Sequence, residues 1–335
     1  MRITLAHGSG GKEMLEIIHT LFSHAKFDDK DVIGLKEFDD GAIIRRNYNA
    51  IVISTDTYTV KPIFFPGGDI GKLAAAGSIN DVAVMGGMPQ FALDSIIVEE
   101  GFPITDLKRI VKSMIETFES ENIRIVSGDF KVMPKDHLDG VVITTTVFGV
   151  LDGPPILDSG AKPGDHVIVS GTVGDHGAVI TAFQYGLDPH SEGLISDCAS
   201  VLPIMRIAKR IGGIHAAKDP TRGGLAMALN EISEKSGVSI WIRESNIPVR
   251  ENVRVLMEML GMDPIYLACE GRVVLVVDPD KSEEMVNALR DAGYKDATII
   301  GEVKKERPGY VIMETLVGGY RIVEKLTGEL TPRIC

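Results

Sequence analysis

The stretch PGGDIGKLAAAGSINDVAVMGG, residues 66–87, decides how the rest of the chain is read. It predicts an alanine-rich helix with glycines marking both ends. Asp81 lies inside that otherwise apolar pattern, where an unpaired carboxylate is costly. Upstream, AIIRR (42–46) and AIVIST (50–55) predict two strands joined by a short polar turn containing Asn47 and Asn49. Before them, KEMLEIIHTLF places Met14, Leu15, Ile17, Ile18, Leu21 and Phe22 on one helical stripe. Downstream, FALDSIIV predicts a strand, TDLKRIVKSMIETFESE a helix, and IRIVSGDF and GVVITTTVFGV two more strands. This block has βαβαβ character and enough apolar residues to close its own core.

Residues 151–165, LDGPPILDSGAKPGD, concentrate proline, glycine and aspartate, as a domain linker does. The same grammar of strand, glycine and helix then resumes. HVIVSG predicts a strand; helices follow GDHG, cover PIMRIAKRIGG and fill GGLAMALNEISEKSG. VSIWIRE and RVVLVVD predict strands, and SEEMVNALRDAG a helix before ATIIGEV. The end, GYRIVEKLTGELTPRIC, predicts a polar, mobile tail that stops at a thiol. The expected division is a glycine-rich segment and helix over 1–34, an α/β domain over 35–152, a second over 163–310, and a C-terminal segment over 311–335.

Composition narrows the function. Hydrophobic residues make up 44% and charged residues 24%, the balance of a soluble globular protein. A net charge of −12 and the lack of any basic block argue against nucleic-acid binding. If phosphates are handled, metal ions and backbone amides must carry most of the work. No signal peptide and no apolar run of about 20 residues is present, so no membrane role is expected. Three cysteines form neither an even disulfide framework nor a CxxC pair, which predicts a cytoplasmic protein with reduced thiols.

Three aspartates sit beside glycine or small residues at predicted element ends: Asp40 in FDDGA, Asp56 in STDTYT and Asp81 in GSINDVAV. Mg²⁺ takes a few carboxylates and shares its remaining positions with phosphate and water; turn or capping roles explain Asp40 or Asp56 singly. HGSGGK (7–12) fails the P-loop pattern, because Ala6 replaces the first glycine and Glu13 the final serine or threonine. It remains a glycine loop opening a helix, either an anion-binding lid or a plain terminus. KDPTRGG (218–224) offers Asp219, Thr221 and Arg222 before a helix; an N-cap explains Asp219 or Thr221 but not the whole string. SGDFK (127–131) reads as a strand ending at Gly128 and Asp129, with Lys131 projecting beyond. Together these suggest a nucleotide site drawing on both domains. Glu270 in YLACEGR is either a strand-edge surface residue or, if buried, a usable base. His7 and His176 read as loop histidines satisfied by neighbours, and Cys198 and Cys269 as core. Cys335, in contrast, has no core to join. A thiol on a mobile arm stiffened by Pro332 can be loaded by one partner and swung into an active site.

In order along the chain, HGSGGKEM, FDDGA, STDTYTVKPIFFPGGDIGKLAAAGSINDVAVMGG, SGDFKV, GDHG, KDPTRGGLA, YLACEGR and the final PRIC resemble the HypE family of hydrogenase-maturation carbamoyl dehydratases. The wider resemblance is to the PurM-like, or aminoimidazole ribonucleotide synthetase, superfamily. It implies two α/β (α+β) PurM-like domains, with N-terminal domains pairing in a homodimer around a shared β-barrel. It implies ATP and Mg²⁺ near the domain interface. It also implies a reaction in which a HypF-like carbamoyltransferase loads Cys335. ATP-dependent dehydration then gives a thiocyanate, and the cyano group passes to a HypC–HypD complex. On this resemblance Asp40, Asp56, Asp81 and Asp219 are expected at the metal, and Thr57, Lys72, Asn80, Gly128 and Asp129 with them around the nucleotide. Glu270 is the expected base, Lys131 the orienting cation and Cys335 the carrier. A small-molecule kinase of the same superfamily or a docking scaffold are the rival readings; neither requires the Cys335 thiol for turnover.

Overall fold

The computed structural model describes residues 4, 11–22, 31–34, 37, 39–46, 49–328 and 334–335. The chain divides into two compact units. An N-terminal unit comprises Phe27–Pro155, Cys198–Leu202 and Arg333–Cys335; a C-terminal unit comprises Met1–Lys26, Ile156–Asp197 and Pro203–Pro332. The loop residues 7–10, Asn47 and Pro332 fall outside the described residues. The predicted first helix is present as α1, Lys12–Phe22, and it belongs to the C-terminal unit. No helix among the described residues is long and apolar enough to cross a membrane.

In the N-terminal unit the elements run β1 (Val32–Ile33), β2 (Ala42–Arg46), β3 (Asn49–Tyr58), β4 (Phe64–Phe65), β5 (Gly68–Asp69), α2 (Ile70–Val84), β6 (Gly87–Glu99), α3 (Ile104–Ser120), β7 (Arg124–Met133) and β8 (Val141–Leu151). Six strands form one sheet in the order β1-β2-β3-β8-β6-β7. The pair β6 and β7, joined through α3, is parallel; its other pairings are antiparallel. Asp69 starts α2 by accepting from the amides of Gly71 (2.9 Å) and Lys72 (3.0 Å), so the PGGD run is a helix cap. Most of α2 is buried, which its small residues permit. A Cβ on Gly77 would strike the Tyr58 hydroxyl, and one on Gly71 the Ile110 carbonyl. The helix therefore lies close against both the sheet and α3.

One local expectation needs correction. Gly128 and Asp129 do not end a strand, because β7 continues through Lys131 to Met133. Parallel pairing with β6 extends over Glu99↔Met133 and supplies the hydrogen bonds that continue it.

The C-terminal unit contains β9 (His166–Val169), α4 (Asp175–Gln184), α5 (Leu202–Ile211), β10 (Ile214–Lys218), α6 (Gly224–Ser236), β11 (Ser239–Arg243), α7 (Glu251–Leu260), β12 (Val274–Val277), α8 (Pro279–Asp291), β13 (Thr298–Lys304), β14 (Val311–Glu314) and β15 (Tyr320–Ile322). Its sheet runs β10-β12-β9-β13-β11-β14-β15. Only β11 and β14 pair in parallel among the described strands of that sheet. Leu225, Leu229 and Ile232 of α6 pack into a core with Val167, Val274, Val276 and Ile240. Every residue of β12 is buried, as expected of a strand covered on both faces.

The polar tail expected from Gly319 onward is also corrected. Residues Tyr320–Ile322 form β15 on β14, Tyr320 meets Trp241 edge-on, and Val323 is fully buried. Pairing with β14 makes this stretch a strand at the sheet's edge, not a solvated arm.

Candidate active-site residues

Two acidic residues of the N-terminal unit, Asp40 and Asp81, meet at one serine. Ser54 of β3 donates to Asp81 Oδ2 at 2.6 Å and lies 3.0 Å from the Asp40 carbonyl oxygen. Asp40 and Asp81 bring carboxylate oxygens within 4.8 Å of each other. Gly41 makes the approach possible: a Cβ there would sit 2.8 Å from the Ile53 carbonyl and 3.1 Å from Met85 Sδ. The FDDGA motif is thus an aspartate delivered by a chain that must pass close over β3. Two nearby carboxylates with a hydroxyl form the oxygen-rich set that a hard divalent cation takes.

The other expected residues of this unit fall into distinct groups. Asp56 Oδ1 accepts from the Thr57 amide (3.1 Å), and Thr57 Oγ1 pairs with Thr144 Oγ1 across the sheet (2.9 Å). Lys72 Nζ donates to the Gly67 carbonyl (2.8 Å). Asn80 is fully buried; its amide donates to Ala199 O (3.2 Å) and accepts from the Val201 amide (2.8 Å). That pairing ties residues 198–202 to the N-terminal unit. Gly128, Asp129 and Lys131 lie exposed on β7, separated from β3 by β8 and β6. A Cβ on Gly128 would lie 2.5 Å from Asp94 Oδ1, and burial pushes the Asp94 carboxyl up from its ordinary range. Cys335 belongs to this unit as well: its carbonyl oxygen accepts from Thr59 Oγ1 at 3.2 Å.

In the C-terminal unit, Asp219 is 4% exposed. It does not cap α6: the N-cap is Gly223 at φ +78°, with no side-chain capping bond. Lys218 is committed to Asp158 (3.3 Å) and Glu231 (3.2 Å), so the front of KDPTRGG is anchored by a buried ion pair.

Glu270 is 1% exposed, which removes the surface-glutamate reading. Its amide donates to Asp197 Oδ1 (3.3 Å), and the same oxygen accepts from the His176 amide (3.1 Å). Arg272 approaches Asp197 Oδ2 (3.8 Å) and Asp175 Oδ2 (3.3 Å), and donates to the Thr172 (3.0 Å) and Gly271 (3.1 Å) carbonyls. Burial, then the nearby Asp197 charge, pushes the Asp175 carboxyl up. Burial likewise drives the Cys269 thiol well above its usual value, leaving it a packing residue. His176 is buried against Ser196 (2.8 Å), satisfied as expected.

Sequence reasoning passed over Asp197, Asp175, Arg272, Ser54 and Thr59. The available signal was indirect. GDHG and YLACEGR each carry glycine beside an ionisable residue, and Gly177 must be small because a Cβ would lie 2.8 Å from the Ala268 amide.

Two family models match the chain: the N-terminal domain of AIR synthase related proteins over residues 38–151 and its C-terminal domain over 162–314. The carbamoyl dehydratase HypE of Cupriavidus necator is 41% identical, with 100% of this chain and 95% of that protein covered. A crystal structure of a HypE–HypF complex is similar at TM-score 0.85 and 41% identity, covering 92% of this chain and 99% of that one. HypE solved in complex with ATP is similar at TM-score 0.82 and 38% identity, with both chains fully covered.

Proposed function

The chain belongs to the HypE family of carbamoyl dehydratases, built on AIR synthase related domains, and we propose that it dehydrates a carbamoyl group carried on its own Cys335 at the expense of ATP. The observation that supports the carrier role is the position of Cys335. The last residue of the sequence is grouped with the N-terminal unit, which also holds the Asp40–Asp81 pair. The product is a thiocyanate, the source of a cyanide ligand in hydrogenase maturation.

An amide oxygen is a poor leaving group. Phosphorylation by ATP turns it into phosphate, one N–H proton leaving as the imino phosphate forms. Loss of the second N–H proton with departure of phosphate gives the nitrile, so one water is removed in total from the carbamoyl group. Glu270, buried and held by its backbone, is the base for an N–H proton. Lys131 orients the carbamoyl group or its developing charge. Asp40 and Asp81 are the residues that would hold Mg²⁺, and their paired carboxylate oxygens fit it. The chemistry supplied by such an ion would be screening of the polyphosphate charge. Asp56 and Asp219 contribute to metal or phosphate binding, with Thr57, Lys72, Asn80, Gly128 and Asp129 shaping the nucleotide's surroundings.

The loading partner is a HypF-like carbamoyltransferase and the acceptor a HypC–HypD complex, in the cytoplasm. The active form is a homodimer. Strand β7 is the sheet's last strand, with Val126 (56%), Phe130 (54%) and Val132 (55%) exposed along it. Such an apolar edge fits pairing with a second copy into a shared barrel.

The test is intact-protein mass spectrometry of carbamoyl-loaded chain incubated with Mg²⁺-ATP. Loss of one water from wild type, no loading of Cys335→Ala, and loading without water loss in Glu270→Gln are expected. Equal loading of Cys335→Ala, or an adduct that survives ATP, would instead favour a small-molecule kinase.

A further inference from the structure

We propose that Thr59 is the docking residue for the carrier: its hydroxyl holds the backbone carbonyl of Cys335 and sets where the loaded thiol sits for turnover. This rests on the reading of Cys335 as carrier and adds a positioning residue to it.

Strands β3 and β8 face each other through a ladder of threonines. Thr55 pairs in register with Thr146 and Thr57 with Thr144, and their hydroxyls meet at 2.8 and 2.9 Å. Thr59 is two residues further along, just past the last paired position, Tyr58↔Ile143. The next residue of β8 in that direction is Val142, whose side chain carries no hydroxyl. Here the threonine hydroxyl donates to Cys335 O at 3.2 Å, a contact spanning 276 residues of sequence. A threonine repeat that consolidates the sheet at two positions thus captures the chain end at the third.

The chemistry of the contact suits a carrier. The bond engages the backbone carbonyl and leaves the sulfur's substituent out of it. One seat therefore serves the free thiol, the carbamoyl adduct and the thiocyanate alike. A single neutral hydrogen bond biases an equilibrium by roughly five- to tenfold. That favours the docked end for dehydration yet lets it leave for a loading partner.

Wild type, Thr59→Val and Thr59→Ser are compared in two assays. The first is alkylation of Cys335 by iodoacetamide, read by intact mass: Cys198 and Cys269 are buried, and the docked Cys335 is only half-exposed, so release raises the reagent's access to its thiol. Thr59→Val is expected to alkylate roughly five- to tenfold faster, and Thr59→Ser at the wild-type rate. The second follows water loss from pre-carbamoylated chain with Mg²⁺-ATP. Thr59→Val is expected to slow by roughly five- to tenfold with no slowing of loading, and Thr59→Ser to restore the rate. Equal alkylation of wild type and Thr59→Val overturns the dock. So does a Thr59→Ser chain that behaves like Thr59→Val, because the hydroxyl is then irrelevant. If wild type loses no water while the alkylation contrast holds, the dehydratase reading fails and the dock stands.

Discussion

Asp197 Oδ1 accepts the backbone N–H of Glu270 at 3.3 Å, and so fixes the chain position of the proposed base from outside its own loop. The other Asp197 oxygen faces Arg272, which also holds the Gly271 carbonyl and Asp175. Asp197 and Arg272, the latter itself held by Asp175, thus clamp the backbone at Glu270 and Gly271. Asp197→Ala is expected to lower single-turnover dehydration by roughly 10- to 100-fold, the value of a hydrogen bond to a charged group, with ATP affinity little changed. Asp197→Asn keeps an acceptor oxygen and should fall between. A loss of ATP affinity as large as the loss of turnover would show that Asp197 acts on nucleotide binding instead.

Ser54 donates to the Asp81 carboxylate, so its removal should be felt in the proposed Mg²⁺ binding. Ser54→Ala deletes the 2.6 Å bond and leaves Asp81 beside Asp40 with one restraint fewer. The magnesium concentration for half-maximal turnover should rise by roughly tenfold, with the melting temperature lowered only slightly. Titration of turnover against Mg²⁺ at fixed ATP measures it.

Asp158 gives a pH signature. It is buried with Lys218 (3.3 Å) and Lys235 (2.9 Å); burial alone raises its pKa, but the two ammonium groups hold it below the ordinary carboxylate value. The folded value therefore lies below the unfolded value of about 4. The stabilisation is complete above that value and is lost as pH falls through the folded value. Asp158→Asn should cost about 3 kcal/mol at neutral pH, because Lys235 loses its carboxylate while Lys218 keeps Glu231. Denaturant melts at pH 7 and near pH 3 should show that gap closing at the lower pH.

Gly71→Ala tests the packing of α2. Alanine normally favours a helix by about 1 kcal/mol over glycine, but here its methyl would meet the Ile110 backbone carbonyl and Ser113 Oγ. Net destabilisation of about 1–3 kcal/mol is expected, seen as a lower melting temperature. A rise would mean that α2 and α3 can separate without cost.

Much of the architecture is written locally. The alanine-rich run of α2, the amphipathic stripe of α3 and the apolar strands β8 and β12 depend on periodicity, and periodicity is a property of neighbours in sequence. Aspartate beside glycine at element ends similarly marks Asp40 and Asp81, because close approach needs small residues. The burial of Glu270 was not legible: a carboxylate between a cysteine and a glycine reads equally as edge or core. Nor did β15 show in its residues, since an edge strand takes its definition from the partner that covers one side.

The sequence by itself determined which residue types were available: carboxylates for a hard cation, a base, and a thiol at Cys335 with no core of its own. Only tertiary structure decided which of them meet. Ser54 and Asp81 are 27 residues apart, Asp197 and Glu270 73, and Thr59 and Cys335 276. Hydrogen bonds between such distant residues form only after strand register and helix packing have fixed the backbone. Their partners therefore depend on geometry accumulated over the whole fold, which no local pattern records.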